Sequence, residues 1–176
     1  MKKPIIHLLV LIILLVSCNQ TQLEPTDPDS FIMPDPETYV MLMPAVREYF
    51  YYRKQAVISG EMDTFWSLYP NLKQDTDLSL GINTESSLVR SMQGLKPFDG
   101  NILPEYYEKI KVKSGGRELQ VLVHGMELYV WNNTTGQFDD SGGEFKIVLY
   151  LQEKSGGWTV TKTDEVTLAE WHDFTP

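Results

Sequence analysis

The sequence predicts an α+β protein in which helices come first and an antiparallel sheet follows. Three observations predict it. From Pro44 to about Gly94, apolar residues recur every three or four positions, the period of a helix with one buried face. After Pro104 the period falls to two, the mark of strands with one covered face. Ser114-Gly115-Gly116 and Lys154-Ser155-Gly156-Gly157 separate the alternating runs, as tight turns in a meander do.

The chain begins with Lys2 and Lys3, an apolar run from Ile5 to Val16 broken only by His7, and then Ser17-Cys18. That run is too short for a spanning helix, which needs about 20 residues, and has the form of a secretory signal. Leu15-Val16-Ser17-Cys18 resembles the lipobox of bacterial lipoproteins, in which the cysteine is lipidated and becomes the first mature residue. The resemblance implies a signal peptide over 1–17 and a membrane anchor at Cys18. It places the protein outside the cytoplasm, on the outer membrane where one exists and otherwise on the outer face of the cell membrane. Cys18 is the single cysteine, so the domain folds without a disulfide.

Residues 18–37 carry prolines at 25, 28, 34 and 36 among Asp, Thr and Gln, and bury too little apolar surface to order themselves. They are expected to form a flexible acidic tether with a reach of about 50 Å. Phe31, Ile32 and Met33 are its one apolar spot and a candidate docking point for the domain or a partner. Asp27 and Asp29 lack the loop that a calcium site requires. Residues 38–176 are expected to form one domain.

Within it, Pro44 suits a first helical turn, and Val46, Tyr49, Phe50, Arg53 and Val57 form a stripe that contains one charged stem. Gly60 ends the helix. Met62, Phe65, Trp66 and Tyr69 make a second, short helix that Pro70 stops. Asp77 to Ile82 alternates as a short strand, and Asn83 is placed to cap a third helix through Leu88, Val89 and Met92. Strands are expected over Tyr106–Lys113, Glu118–Trp131, about Phe145–Leu151, and Trp158–Thr163, with a polar loop at Asn132–Gly143. Gly125, in mid-strand, marks a bulge or bend. Val148 and Tyr150 lie opposite Phe145, Ile147 and Leu149, so that strand is covered on both faces, by a dimer mate or by the C-terminal segment.

This order of elements, with the Gly156-Gly157-Trp158-Thr159-Val160 turn into the last strand, resembles the nuclear-transport-factor-2-like superfamily over about residues 40–168. The resemblance implies helices packed in a curved, cone-shaped antiparallel sheet with a pocket at its open end. In members similar to ketosteroid isomerases it further implies a carboxylate base near the short early strand. Asp75 or Asp77 matches that place, with Tyr49 or Tyr52 as oxyanion donor, a combination suited to proton transfer next to a carbonyl.

Charge narrows the choices. The chain carries 15 basic and 24 acidic residues, for a net charge of −9, and has no basic stripe. Such a surface repels phosphate backbones, so nucleic acid is excluded as a partner. The histidines are isolated, which argues against a metal, and no nucleotide-cradling or nucleophile motif calls for a cofactor. His124 shares strand parity with Leu122, Met126 and Leu128 and is a candidate acid–base group or a satisfied core histidine. His172 follows Trp171 near the end. Tyr49, Trp66, His124 and Trp131 are the pocket candidates for an apolar ligand. Three functions stay open. The favoured one is non-catalytic binding of a small apolar ligand or an envelope protein. The others are an isomerase- or cyclase-like enzyme using Asp77, Tyr52 and His124, and a structural assembly module, with a homodimer through the outer sheet face possible in each.

Overall fold

Helix α1 starts earlier than the apolar stripe implies. The computed structural model describes residues 30–102, 110–115, 118–154 and 156–165, and in it α1 spans Pro36–Ser59. Asp35 caps it: its carboxylate accepts from the Thr38 N–H at 2.9 Å and from the Thr38 hydroxyl at 2.7 Å. Pro36 takes the first-turn place that the sequence offered to Pro44. Pro44 instead lies inside the helix on its exposed side, where water can satisfy the Val40 carbonyl left without a donor. Residues 36 and 37, expected in the tether, therefore belong to the domain. Gly60 closes the helix as expected, at φ 75°, with its N–H bonded to the Ala56 carbonyl at 2.9 Å.

Helix α2 (Asp63–Leu68) and a 3-10 turn (Pro70–Lys73) bury Phe65 and Leu72. The Asp77–Ile82 segment is a tight turn closed by reciprocal backbone bonds of 3.0 and 2.8 Å between those two residues. Asn83 does not cap α3 (Glu85–Met92), which starts after Thr84. Its amide donates to the Gln74 carbonyl at 2.7 Å and accepts from the Thr163 N–H at 3.0 Å, tying the turn to the last strand.

The sheet has five antiparallel strands: β1 (Asp99–Ile102), β2 (Ile110–Gly115), β3 (Glu118–Asn132), β4 (Phe138–Lys154) and β5 (Gly157–Asp164). β1 and β2 share one flank of β3, pairing with its two ends, while β4 and then β5 extend the other flank. β1 was not anticipated. The expected 132–143 loop shrinks to residues 133–137, because Phe138 to Gly143, polar but for Phe138 itself, continues the ladder opposite Asn132 to Glu127. Ladder bonds use backbone groups alone, and these side chains are exposed, so their polarity costs nothing. Residues 106–109 of the expected first strand and residues 166–176, with Trp171 and His172, lie outside the described residues, as do Cys18 and the signal segment.

Helix α1 lies against the inner sheet face and touches both β1 and β5, at opposite margins of the sheet, so the sheet curves around it. Val46, Tyr49, Phe50 and Val57 meet Val121, Val123, Phe145, Ile147 and Leu149 in one core. Gly125 holds no bulge: its register to Phe145 is regular, and the irregularity falls at Tyr150/Leu151. A Cβ at Gly125 would sit 2.6 Å from the Phe145 ring, so the glycine gives that ring its seat. On the outer face Phe31 covers Leu122, Val148 and Tyr150, and Ile32 exchanges backbone bonds of 2.9 and 2.7 Å with Val112. Phe31 and Ile32 thus cover this part of the outer face, where the sequence suggested a dimer mate or the C-terminal segment.

Candidate functional site

Arg53, the one charge in the α1 stripe, forms the centre of the site. Its place in an apolar helix face carries the guanidinium to the sheet, where its side chain is only 5 % exposed. Nη2 lies 3.3 Å from Glu165 Oε2, just beyond β5, and 3.6 Å from Glu127 Oε1 on β3. Glu127 shares inner-face parity with Val121, Val123 and Tyr129, which makes it the polar residue of an otherwise apolar row. Burial alone would push the Arg53 pKa down; Glu127 and then Glu165 outweigh it and hold the guanidinium more firmly charged than usual. The Phe145 ring centroid lies 5.8 Å from the guanidinium carbon. Nε and Nη1 are buried and have no hydrogen-bond partner among the described residues.

These groups border a cavity of about 500 Å³. Helix α3 forms one wall with Thr84, Ser87, Leu88 and Ser91, spaced i, i+3, i+4 and i+7 so that all four face it. Leu78 and Phe145 add apolar surface, and Glu144 and Glu165 complete the lining. Helix α3 is fixed from behind. Glu85 is buried, and its Oε1 accepts from the Tyr49 hydroxyl at 2.7 Å and the Thr163 hydroxyl at 2.6 Å. Burial, reinforced by Glu85, raises the Tyr49 pKa well above its ordinary value, so the phenol remains a donor. The Glu85 Oε2 has no partner among the described residues.

The residues singled out from sequence are distributed elsewhere. Tyr49 is fully buried and serves the Glu85 network. Tyr52 lines a separate groove of about 250 Å³ with Tyr51, Gln55 and Ser59. Trp66 is half-buried, with the Lys73 ammonium 4.7 Å above its ring. His124 has the parity of Leu122 and faces the outer side of the sheet, its Nε2 3.1 Å from Glu144 Oε2. Trp131 is half-buried on β3 opposite Asp139. Asp77 caps its own turn, accepting from the Ser79 hydroxyl at 2.6 Å and from the backbone N–H groups of Ser79 and Leu80. The Ser79 hydroxyl and those amides hold its carboxyl below the usual range. Asp75 is exposed in the preceding bend. None of the cavities described is lined by two of Asp77, Tyr52 and His124. Among the described residues no three His, Cys, Asp or Glu side chains gather as metal ligands, and no helix is long and apolar enough to cross a membrane.

Arg53, Glu127 and Glu165 were not chosen as site residues from sequence. Two left a signal there: a charge within an apolar helix stripe, and a glutamate on the core parity of a strand.

No protein-family model matches the chain, and comparison with curated protein sequences finds no match. Solved structures share its arrangement loosely. Aln2 from a Streptomyces species is 10 % identical over 80 % of this chain and 98 % of its own, with a TM-score of 0.43. A putative dehydratase of the NTF2-like family from Streptomyces avermitilis is 14 % identical over 72 % and 97 %, with a TM-score of 0.41. The intermembrane-space region of the chloroplast protein ARC6 is 13 % identical over 76 % and 98 %, with a TM-score of 0.39. None of these likenesses assigns an activity, a ligand or a family to the chain. The fold class is α+β, with helices held in a curved five-stranded antiparallel sheet.

Proposed function

We propose that the protein is an exported lipoprotein, anchored through Cys18, whose nuclear-transport-factor-2-like domain binds a small, mainly apolar molecule in the Arg53 cavity without transforming it. One observation carries the binding reading: the buried Arg53 side chain and the apolar Leu78, Leu88 and Phe145 line one cavity of about 500 Å³. Leu78, Leu88 and Phe145 would cover the apolar body of a molecule placed there. The non-catalytic reading is supported by the scatter of Asp77, Tyr52 and His124 over separate surfaces. The anchor rests on the Leu15-Val16-Ser17-Cys18 ending of the apolar run.

Two measurements test it. The full chain carrying Cys18→Ser, incubated with envelope extract and repurified, is expected to hold a small molecule seen by native mass spectrometry and lost on denaturation. Ser87→Trp, which fills the cavity from a half-buried position on α3, is expected to abolish it. A clean protein mass, or the same adduct in Ser87→Trp, refutes binding at this site. Cys18→Ser is also expected to move the protein from the membrane to the soluble fraction, and an unchanged distribution refutes the anchor.

A further inference from the structure

Two leucines stand exposed where the chain leaves the last strand. Leu78 lines the Arg53 cavity yet is 58 % exposed, so it sits at the mouth, and Leu80 in the same turn is 46 % exposed. The turn that carries them is held firmly. Asp77 and Ile82 exchange backbone bonds of 3.0 and 2.8 Å, and the Asp77 carboxylate accepts from the Ser79 and Leu80 amides. Its own hydrogen bonds therefore fix two apolar side chains in water, beside the apolar lining that Leu88 and Phe145 give the cavity. Adjoining apolar surface of this kind marks a contact site.

The course of the chain shows which segment arrives there. Glu165 lines the same cavity, and its N–H donates to the Gly81 carbonyl at 2.8 Å. A Cβ at Gly81 would lie 2.7 Å from the Glu165 carbonyl oxygen, so this glycine lets the chain leave β5 directly against the leucine-bearing turn. The Glu165 carboxylate, 3.3 Å from Arg53, fixes that point of departure to α1. Beyond it the sequence continues through residues 166–176 with Val166, Leu168, Trp171 and Phe174. At about 3.3 Å per extended residue, Leu168 can reach about 10 Å from Glu165 and Trp171 about 20 Å, enough to cross the mouth. The outer sheet face, the other place open to this segment from sequence, is covered by Phe31 at Leu122, Val148 and Tyr150.

We propose that residues 166–176 pack across the mouth of the Arg53 cavity, with Leu168 and Trp171 against Leu78 and Leu88. The contact needs little affinity of its own, because a connection of a few residues supplies an effective concentration in the millimolar range. A covered mouth keeps water from the apolar lining with or without a ligand beneath it, so this contact stands apart from the binding reading above.

The test uses the full Cys18→Ser chain, which has no other cysteine, with Glu170→Cys paired with one of two positions. The first is Ser87→Cys in the cavity wall. The second is Lys162→Cys, whose native ammonium lies 4.4 Å over the Tyr150 ring on the outer face. Lys162 is only three residues before Glu165, so the second pair controls for reach alone. The effective concentration of each pair is read from the extent of disulfide closure in a glutathione redox buffer. The Ser87 pair is expected to exceed the Lys162 pair by at least about tenfold, and a smaller ratio overturns the proposal.

Leu78→Ser and Trp171→Ser, each added to both pairs, separate the contact from the direction in which the chain leaves the strand. Leu78 is largely exposed, so its replacement leaves the domain folded. Each substitution is expected to lower the ratio at least about threefold, as loss of an apolar contact does. A smaller fall in either overturns the proposal, since chain direction at Glu165 would then account for the preference.

Discussion

Removing the Arg53 charge should cost far more stability than an exposed arginine would. The perturbation is Arg53→Met, which keeps an unbranched stem of similar shape and deletes the guanidinium. Its partners lie 3.3 and 3.6 Å away, and the three side chains are 5, 10 and 15 % exposed. At an effective dielectric constant near 20, each attraction is about 5 kcal/mol before desolvation and the mutual repulsion of the carboxylates are subtracted. Breaking a buried pair from one side leaves the other charge uncompensated and costs about 3–5 kcal/mol. Urea unfolding followed by Trp fluorescence should therefore show a lower midpoint with an unchanged slope. The triple variant Arg53→Met/Glu127→Gln/Glu165→Gln should recover most of the loss, since no unpaired charge remains. A single-variant cost under about 1 kcal/mol, the range of surface pairs, would show that the cluster is solvated and refute the reasoning. A triple variant as unstable as the single would assign the loss to the packing of the arginine stem instead.

Tyr49→Phe removes one of two donors to the Glu85 Oε1 and should cost about 1.5–3 kcal/mol in chemical unfolding. In a double-mutant cycle with Thr163→Val, strict additivity would argue against a shared acceptor. Asp77 has a folded-state pKa held below its ordinary 3.8 by Ser79 and the turn amides. A lowered carboxyl pKa stabilises above the unfolded value and loses that contribution as the pH falls through the folded one. Asp77→Asn should therefore melt earlier than wild type near neutrality, with the gap closing below pH 3.8, and a gap constant with pH would refute it. Phe31→Ala uncovers Leu122, Val148 and Tyr150 and should cost about 3 kcal/mol in urea unfolding, at the low end for a buried phenylalanine because the patch is peripheral. A loss under about 1 kcal/mol would mean that the segment does not hold the outer face.

Local regularities survive in the sequence because they depend on near neighbours. The stripe through Val46, Tyr49, Phe50 and Val57, its stop at Gly60, and the change to alternation after Pro104 each follow from chain geometry over a few residues. They made the α+β order readable before any contact was known. Where polar composition and backbone pairing diverged, at Phe138 to Gly143, composition pointed to a loop and the ladder prevailed. Pro44 misplaced the start of α1 because a proline on the exposed side of a helix resembles one in its first turn.

The site was less legible for a different reason. His124 shares its parity with Leu122 and Glu127 shares its own with Val123, and both rows of β3 are apolar enough to pass for the inner face. Which row turns inward is decided by α1 covering one face while Phe31 covers the other, and no window of a few residues contains both events. Arg53 and Glu165 meet across 112 positions of sequence. The sequence by itself determined the order and type of the main elements and the turns between them, because these are short-range consequences of backbone geometry and burial periodicity. Only the tertiary structure decided that a buried guanidinium, two carboxylates and a wall of α3 enclose one cavity, because that convergence is set by long-range packing around α1.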